Sequence, residues 1–170
     1  MRYEVLMELL ATLDLPGGAL GVRRAVADDV PAVVALLADD PLGGARETTG
    51  AEEGLGVYRR AFEALDADPS ELLVVVVDGD EVVGTLQLSF LPGLSRRGAL
   101  RAQVEAVRVR ADVRSRGVGA ALFEWAFDEA HDRGCALVQL TTDKARPDAQ
   151  RFYRGLGFVA SHEGLKRELR

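Results

Sequence analysis

A glycine-bearing turn between a strand-like run and a helix-like run constrains this chain more than any other stretch. Residues 104–109 precede the turn, residues 114–119 (RSRGVG) form it, and the helix-like run 120–133 follows. The first N–H groups of a helix have no partner inside the helix, and the helix dipole adds partial positive charge there. Glycines let a bulky anion approach those groups, and Arg114 and Arg116 add charge beside them. The turn is therefore suited to bind a phosphate or pyrophosphate.

Three interpretations of this turn remain open from its own residues. It can be an ordinary strand-to-helix turn, in which the glycines only provide tight geometry. It can be a dinucleotide-binding fingerprint, although G-x-G-x-x-G needs a third glycine where this chain has Leu122. It can also be the loop that binds the pyrophosphate of an acyl-coenzyme A. The stretches before and after the turn bear on the choice.

The chain resembles the GNAT family of N-acetyltransferases in three stretches. Arg114, Gly117 and Gly119 fill the family signature Q/R-x-x-G-x-G/A. Residues 105–109 (EAVRV) are similar to the family's preceding strand, and residues 149–158 (AQRFYRGLGF) to its later A-x-x-x-Y-x-x-x-G-F helix and strand start. The resemblance implies direct transfer of an acetyl group from acetyl-CoA to a primary amine, through a tetrahedral intermediate and without an acyl-enzyme.

The resemblance also implies which residues hold the donor. The pantetheine arm, which contains amides, would pair with the backbone of a splayed strand end at Val107, Arg108 and Val109. Many family members have Asn at the position of Arg146, so this arginine either binds phosphate instead or is solvated. The pyrophosphate would be bound by the turn, which consists of Arg114, Ser115, Arg116, Gly117, Val118 and Gly119.

Glu105 is the candidate general base, acting directly or through water. It lies four residues before Val109, where the family often has an acidic residue. Strand alternation predicts that Glu105 shares a face with Val107 and Val109. Its alternative role is a salt bridge to Arg101 or Arg108.

Tyr153 is the candidate general acid, because a phenol pKa of about 10 suits protonation of a leaving thiolate. Its alternative role is aromatic packing. His162 is a further candidate base, although a lone histidine in a polar stretch is more often a surface residue. Cys135 begins an apolar run and is read as a small core residue, since direct transfer needs no nucleophilic cysteine.

Composition limits the partners of the chain. A net charge of −6 argues against a general nucleic-acid binder. One cysteine and two histidines distant in sequence predict no metal site. No segment has the length of a membrane span, and no signal peptide is recognised, so the expected compartment is the cytoplasm.

The family habit suggests a homodimer. Arginines at 96, 97 and 101 and glutamates at 47, 52 and 53 could attract a charged acceptor, although solvated positions are the simpler account.

The element order predicts one α+β domain over residues 19–170, preceded by an extension or short amphipathic helix within residues 1–18. The expected fold is a three-layer α/β/α sandwich with a mixed, mostly antiparallel sheet of six or seven strands and about four helices. Strands are predicted at 20–25, 72–77, 82–90, 104–110 and 135–142, with further strands starting at 158 and covering 164–169. Helices are predicted after residue 29 and at 52–67, 120–133 and 147–154.

The predicted function is an N-acetyltransferase that uses acetyl-CoA and acts on a small-molecule amine. Two alternatives stay open. The acceptor could be an amine of a protein or peptide, or the chain could be a non-catalytic sensor module that binds acyl-CoA. Glu105 and Tyr153 favour the enzyme.

Overall fold

A six-stranded sheet forms the centre of the computed structural model, which describes residues 8–39, 44, 47 and 52–169. The strands follow one another across the sheet in chain order: β1 (Leu9–Leu13), β2 (Leu20–Arg24), β3 (Glu71–Asp78), β4 (Glu81–Leu91), β5 (Leu100–Val109) and β6 (Cys135–Leu140). The helices, apart from short helical turns, are α1 (Val30–Ala38), α2 (Glu52–Ala67), α3 (Val118–Asp132) and α4 (Pro147–Gly155).

The sheet is mixed and mostly antiparallel, as the sequence predicted. Strands β1 to β5 pair antiparallel with their neighbours, and β5 and β6 run parallel. Strand β3 is rich in buried valine because helices cover both of its faces. It forms a hairpin with β4 through the predicted Asp-Gly-Asp turn, residues 78–80.

Helices cover both faces of the sheet, which confirms the predicted three-layer α/β/α arrangement. On one face, α3 places Leu122 and Phe123 against sheet residues such as Val74 and Leu86. We call this the α3-side core. On the other face, α1 and α2 bury Val34 and Phe62 against valines of β3, and we call this the α1/α2-side core.

The N-terminal segment contains a strand where an amphipathic helix was one expectation. Leu9–Leu13 pairs antiparallel with β2 as an edge strand. The expectation of a helix is wrong for these residues, because pairing with β2 places Leu13 in the α3-side core and leaves Leu9 and Leu10 exposed. Residues 1–7 lie outside the described part of the chain, and the division at residue 18 stays a prediction.

The segment that follows α4 contains no strand. Strands were expected from residue 158 and at 164–169, but within residues 156–169 the structure assigns none, so these two expectations are wrong. The apolar side chains of Val159, Leu165 and Leu169 do not pack on the core, since they are exposed. A strand formed by these residues would therefore have no buried side. None of the helices among the described residues has the length and apolar character needed to cross a membrane.

A buried ion pair fixes the start of α1 on the sheet. Arg23 of β2 donates from Nη1 and Nη2 to the Asp29 carboxylate at 2.6 and 2.8 Å. Both residues are 6% exposed. The same carboxylate accepts a hydrogen bond from the Val26 N–H at 2.8 Å. The pair holds Asp29, the residue before α1, against β2. Removal of one partner would leave an unpaired buried charge and would therefore destabilise this junction.

Candidate active site

Strand β5 has an open edge beyond Val104. Its parallel pairing with β6 runs from Leu100 opposite Cys135 to Val104 opposite Leu140, where β6 ends. Strand β5 continues to Val109, so residues 105–109 have no pairing partner on the β6 side within the described residues. An extended ligand with amide groups can pair with such an edge as an additional strand. This edge includes Val107, Arg108 and Val109, whose backbone is expected to pair with pantetheine.

A β-bulge interrupts this part of β5. Thr85 and Gln87 of β4 pair with Arg108 and Glu105, so residues 106 and 107 together stand opposite the single residue between them on β4. Ala106 has a φ of +53°, in the left-handed region that non-glycine residues rarely adopt. Such an insertion reverses the alternation of side chains along the strand and redirects those that follow it.

The bulge separates Glu105 from the valines with which it was expected to share a face. Val104 belongs to the α3-side core, and Val107 and Val109 pack against the same core. Glu105 follows Val104 directly, is exposed, and pairs across strands with Gln87 on the opposite face. The expected common face is therefore wrong, because the extra residue shifts the alternation by one. No ion pair of Glu105 is found in the described part of the chain.

The glycine turn leads directly into α3. Gly117 is the N-terminal cap of this helix and has a φ of +83°, which a β-branched residue would adopt only with strain. Val118 is fully buried and anchors the first helical turn. Ser115 lies on the exposed side of the preceding turn, Ala111–Arg116. The N–H groups of the first turn of α3 lack intrahelical partners.

The two arginines of the turn are held by acceptors of the protein. Arg114 donates from Nε to the Val109 carbonyl at 2.8 Å and from Nη2 to the Asp39 carboxylate at 3.0 Å. Arg116 donates from Nη2 to the Gly17 carbonyl at 3.1 Å. Arg114 thus connects the end of β5 to the end of α1. An anion bound at the turn would compete with the carboxylate for this guanidinium.

Tyr153 lies on α4 and packs among aromatic side chains. Its ring centroid is 5.6 Å from that of Phe123 and 6.0 Å from that of Phe158. Burial raises the pKa of Tyr153, and the charges of Arg108 and Arg146 oppose that rise. The phenol therefore stays protonated at neutral pH, beside two cationic side chains.

The side chain of Arg108 is coupled electrostatically to residues of other elements, although the resemblance assigned a role only to its backbone. Burial lowers the pKa of Arg108, and the charges of Tyr153 and Glu47 act against that decrease. Glu47 accepts a hydrogen bond from the Tyr58 hydroxyl of α2 at 2.7 Å. Arg108 of β5 is therefore coupled electrostatically to Tyr153 of α4 and to Glu47, which Tyr58 of α2 holds by a hydrogen bond. No local sequence pattern links residues that are so distant in sequence. The other two glutamates suggested for binding a charged acceptor, at residues 52 and 53, have side chains outside the described part of the chain.

The other candidate side chains lie outside this cluster or serve packing. Burial raises the pKa of the Cys135 thiol, which packs on the α3-side core, so it is a poor nucleophile. His162 is exposed and its Nδ1 lies 2.8 Å from Ser161 Oγ. Arg96 and Arg97 are exposed in a turn with positive φ. Among the described residues no three His, Cys, Asp or Glu side chains are grouped as metal ligands would be.

Comparison with known proteins gives the family. The model of the Acetyltransferase (GNAT) family matches residues 31–158. An aminoalkylphosphonate N-acetyltransferase of Salmonella typhimurium is 28% identical over 141 residues, which cover 83% of this chain and 86% of that protein.

Two solved structures extend the comparison. A transcriptional regulator from Bacillus halodurans is 46% identical, with a TM-score of 0.83 over 88% of this chain and 99% of the other. A putative acetyltransferase from Agrobacterium tumefaciens is 28% identical, with a TM-score of 0.71 over 87% and 99%. The open strand edge and the glycine turn therefore lie in a matching fold, and the chain belongs to the GNAT family of acetyltransferases.

Proposed function

We propose that this acetyltransferase moves the acetyl group of acetyl-CoA directly to the primary amine of a small molecule. The observation that carries the proposal is the continuity of two binding elements. The unpaired edge of β5, residues 105–109, runs into the turn at Gly117 and the N-terminus of α3. A ligand with an amide-containing arm and a pyrophosphate matches that sequence of elements.

In this proposal the donor lies along the edge of β5. The backbone of Val107, Arg108 and Val109 would pair with the pantetheine amides, and the N–H groups of residues 114–119 would bind the pyrophosphate. Val107 and Val109 already pack against the α3-side core, so ligand binding needs their backbone only. Arg146 interacts electrostatically with Tyr153 and is proposed as a phosphate contact in place of the family's asparagine.

Two proton transfers accompany the proposed reaction. The amine nitrogen attacks the thioester carbonyl carbon and loses a proton to Glu105, directly or through water. The tetrahedral intermediate then collapses with cleavage of the C–S bond, and Tyr153 donates its proton to the departing sulfur. The raised pKa of Tyr153 keeps that proton available at neutral pH. Glu105 is exposed, so it is reachable by an incoming ammonium group.

The choice of a small-molecule acceptor is supported by the relative from Salmonella typhimurium, which is an aminoalkylphosphonate N-acetyltransferase. The chain covers most of that protein, so the support applies to the whole domain. Acetylation of a protein or peptide amine is the alternative within the same reaction class.

A non-catalytic sensor is the second candidate function. One observation favours it, since the 46% identical structure from Bacillus halodurans is described as a transcriptional regulator. Such a module would bind acyl-CoA at the same edge without turnover. The exposed Glu105 and the protonated Tyr153 would have no role in it.

Thiol release with a panel of amines tests the proposal. Purified protein is incubated with acetyl-CoA and each amine, and free coenzyme A is measured against samples without amine. Amine-dependent release is the expected result. Binding of acetyl-CoA without release would favour the sensor, and binding of NADH without binding of coenzyme A would refute the donor assignment.

Two further features are proposals from the sequence analysis. We propose a homodimer in the cytoplasm, without a nucleic-acid or membrane partner. The net charge of −6 supports the absence of general nucleic-acid binding, and the exposed Val159, Leu165 and Leu169 offer apolar surface for a second subunit. Light scattering that gives a monomer at micromolar concentration would refute the dimer.

A further inference from the structure

A cavity of about 160 Å³ lies between α1, α2 and the sheet. Its walls are hydrocarbon, with Val30, Val33 and Val34 from α1 and Phe62 and Leu65 from α2. Four of these side chains are buried, whereas Leu65 is partly exposed. The space is therefore a gap within the α1/α2-side core that reaches toward solvent, and a gap of this kind favours an apolar occupant.

The polar groups at the cavity already have partners in the protein. The Tyr58 hydroxyl donates to Glu47 at 2.7 Å, and the Gln87 side-chain N–H donates to Glu71 at 2.9 Å. None of the described residues that line the cavity is Asp, Glu, Lys, Arg or His. A charged group placed inside would lose its hydration without gaining a counter-charge.

The sheet end of the cavity adjoins the candidate general base. Gln87 and Ala106 form this end, and both are partly exposed. Gln87 pairs across strands with Glu105, and Ala106 follows Glu105 in the bulge. A molecule with its apolar part in the cavity would therefore present a short amine-bearing arm beside the Glu105 carboxylate, next to the open edge of β5.

The volume sets the size of the occupant. An apolar cavity of about 150 Å³ in another protein stays dry and binds benzene. We infer that this cavity holds the apolar substituent of the acceptor, and that the preferred acceptor is a primary amine with a phenyl-sized hydrocarbon group on a short arm. This inference rests on the proposed acetyl transfer and departs from the phosphonate acceptor of the Salmonella typhimurium relative.

A series of amines on the wild-type protein tests the inference first. The series is ethylamine, 3-methylbutylamine, 2-phenylethylamine and 2-aminoethylphosphonate, each assayed for thiol release at saturating acetyl-CoA. We expect kcat/KM to rise along the three hydrocarbon amines, with 2-phenylethylamine roughly tenfold or more above ethylamine and above the phosphonate. Equal values for the hydrocarbon amines, or a preference for the phosphonate, would overturn the inference.

A filled cavity supplies the second test. Val33→Phe places a ring in the cavity from a position that is 8% exposed, so the ring cannot turn to solvent. Val57→Phe makes the same change on α2 at a position that is 62% exposed and does not line the cavity. We expect Val33→Phe to lower the ratio of kcat/KM for 2-phenylethylamine to kcat/KM for ethylamine from roughly tenfold or more toward one. Val57→Phe should keep the wild-type ratio.

The outcomes separate this inference from the proposed function. Circular dichroism and thermal unfolding show whether Val33→Phe is folded, and if it is not, the wild-type series decides alone. A folded Val33→Phe protein that keeps the full preference for 2-phenylethylamine would refute the cavity as its site. Failure of every amine to release thiol would instead refute the proposed acetyl transfer to a small-molecule amine.

Discussion

The ring of Phe152 on α4 lies against Gly119 on α3, so that a Cβ on this glycine would stand 3.3 Å from Phe152 Cζ. The second glycine of the turn signature therefore has a packing reason in addition to its proposed role at the pyrophosphate. It allows α4 to approach the first turn of α3 and holds the neighbouring Tyr153 in the aromatic cluster. Phe152 is 38% exposed, so its ring can yield to a methyl group by moving outward.

A double-mutant cycle tests this packing. Gly119→Ala should change the free energy of unfolding little in the wild type, because the gain of about 0.5–1 kcal/mol from replacing a helical glycine is offset by displacement of the Phe152 ring. In a Phe152→Leu background the same substitution should stabilise the protein by about that amount. Denaturant unfolding of the four proteins measures the coupling. Equal effects of Gly119→Ala in both backgrounds would show that the ring and the glycine are independent.

Gly117→Val should weaken acetyl-CoA binding about tenfold or more, because the side chain would stand where the pyrophosphate is proposed to lie. Gly134→Val is the matched control. Gly134 has a φ of +78°, close to the +83° of Gly117, and lies after the opposite end of α3. Both variants should lose stability through backbone strain, and calorimetry should show weaker coenzyme binding for Gly117→Val only. If the two variants lose acetyl-CoA affinity equally, backbone strain and not a blocked pyrophosphate site explains the loss.

Tyr153→Phe should keep acetyl-CoA binding, because only a hydroxyl is removed, and should lower kcat on the order of 10²-fold. A general acid must be protonated, so the wild-type rate falls as pH rises through its pKa. Because burial raises the pKa of Tyr153, this fall should come above the ordinary phenol value of about 10. Phe152→Leu, in the same aromatic cluster, should retain turnover. If Tyr153→Phe turns over at the wild-type rate, Tyr153 is not the general acid and contributes only to packing.

Glu105→Gln should lower the rate and remove its decline at acidic pH, because an amide cannot accept the proton of the amine. Glu81→Gln serves as control, since Glu81 is an exposed strand carboxylate that pairs with Arg110 instead. A pH–rate series on both variants gives the comparison. If Glu105→Gln keeps the wild-type profile, Glu105 is not the base, and His162 becomes the next residue to replace.

Local patterns predicted most of the fold. The apolar run before the Asp-Gly-Asp turn, the Pro31 signal at the start of α1 and the helical spacing in residues 52–67 each correspond to an observed element. The misassigned segments lie near the termini. There, leucines at residues 9–13 fit a helix or an edge strand equally well, and the apolar residues after 158 are exposed.

The geometry of the site could be predicted from the sequence less well than the fold, for a physical reason. The φ of +53° at Ala106 is set by the strand pairing around it, and nothing about an alanine signals it. This one residue decides that Glu105 faces away from Val107. The contact of Glu47 with Tyr58 and the cavity between α1 and α2 likewise arise from tertiary packing, which periodicity in one segment does not encode.

Mass spectrometry of a single reaction mixture tests the central claim most directly. Purified protein, acetyl-CoA and 2-phenylethylamine, with the rest of the amine panel in parallel, are quenched at intervals, and the small molecules and the intact protein are weighed. Direct transfer predicts an N-acetylated amine equal in amount to the coenzyme A released, with the mass of the protein unchanged throughout. Unchanged acetyl-CoA beside every amine, or acetylated protein that accumulates before the product, would contradict it.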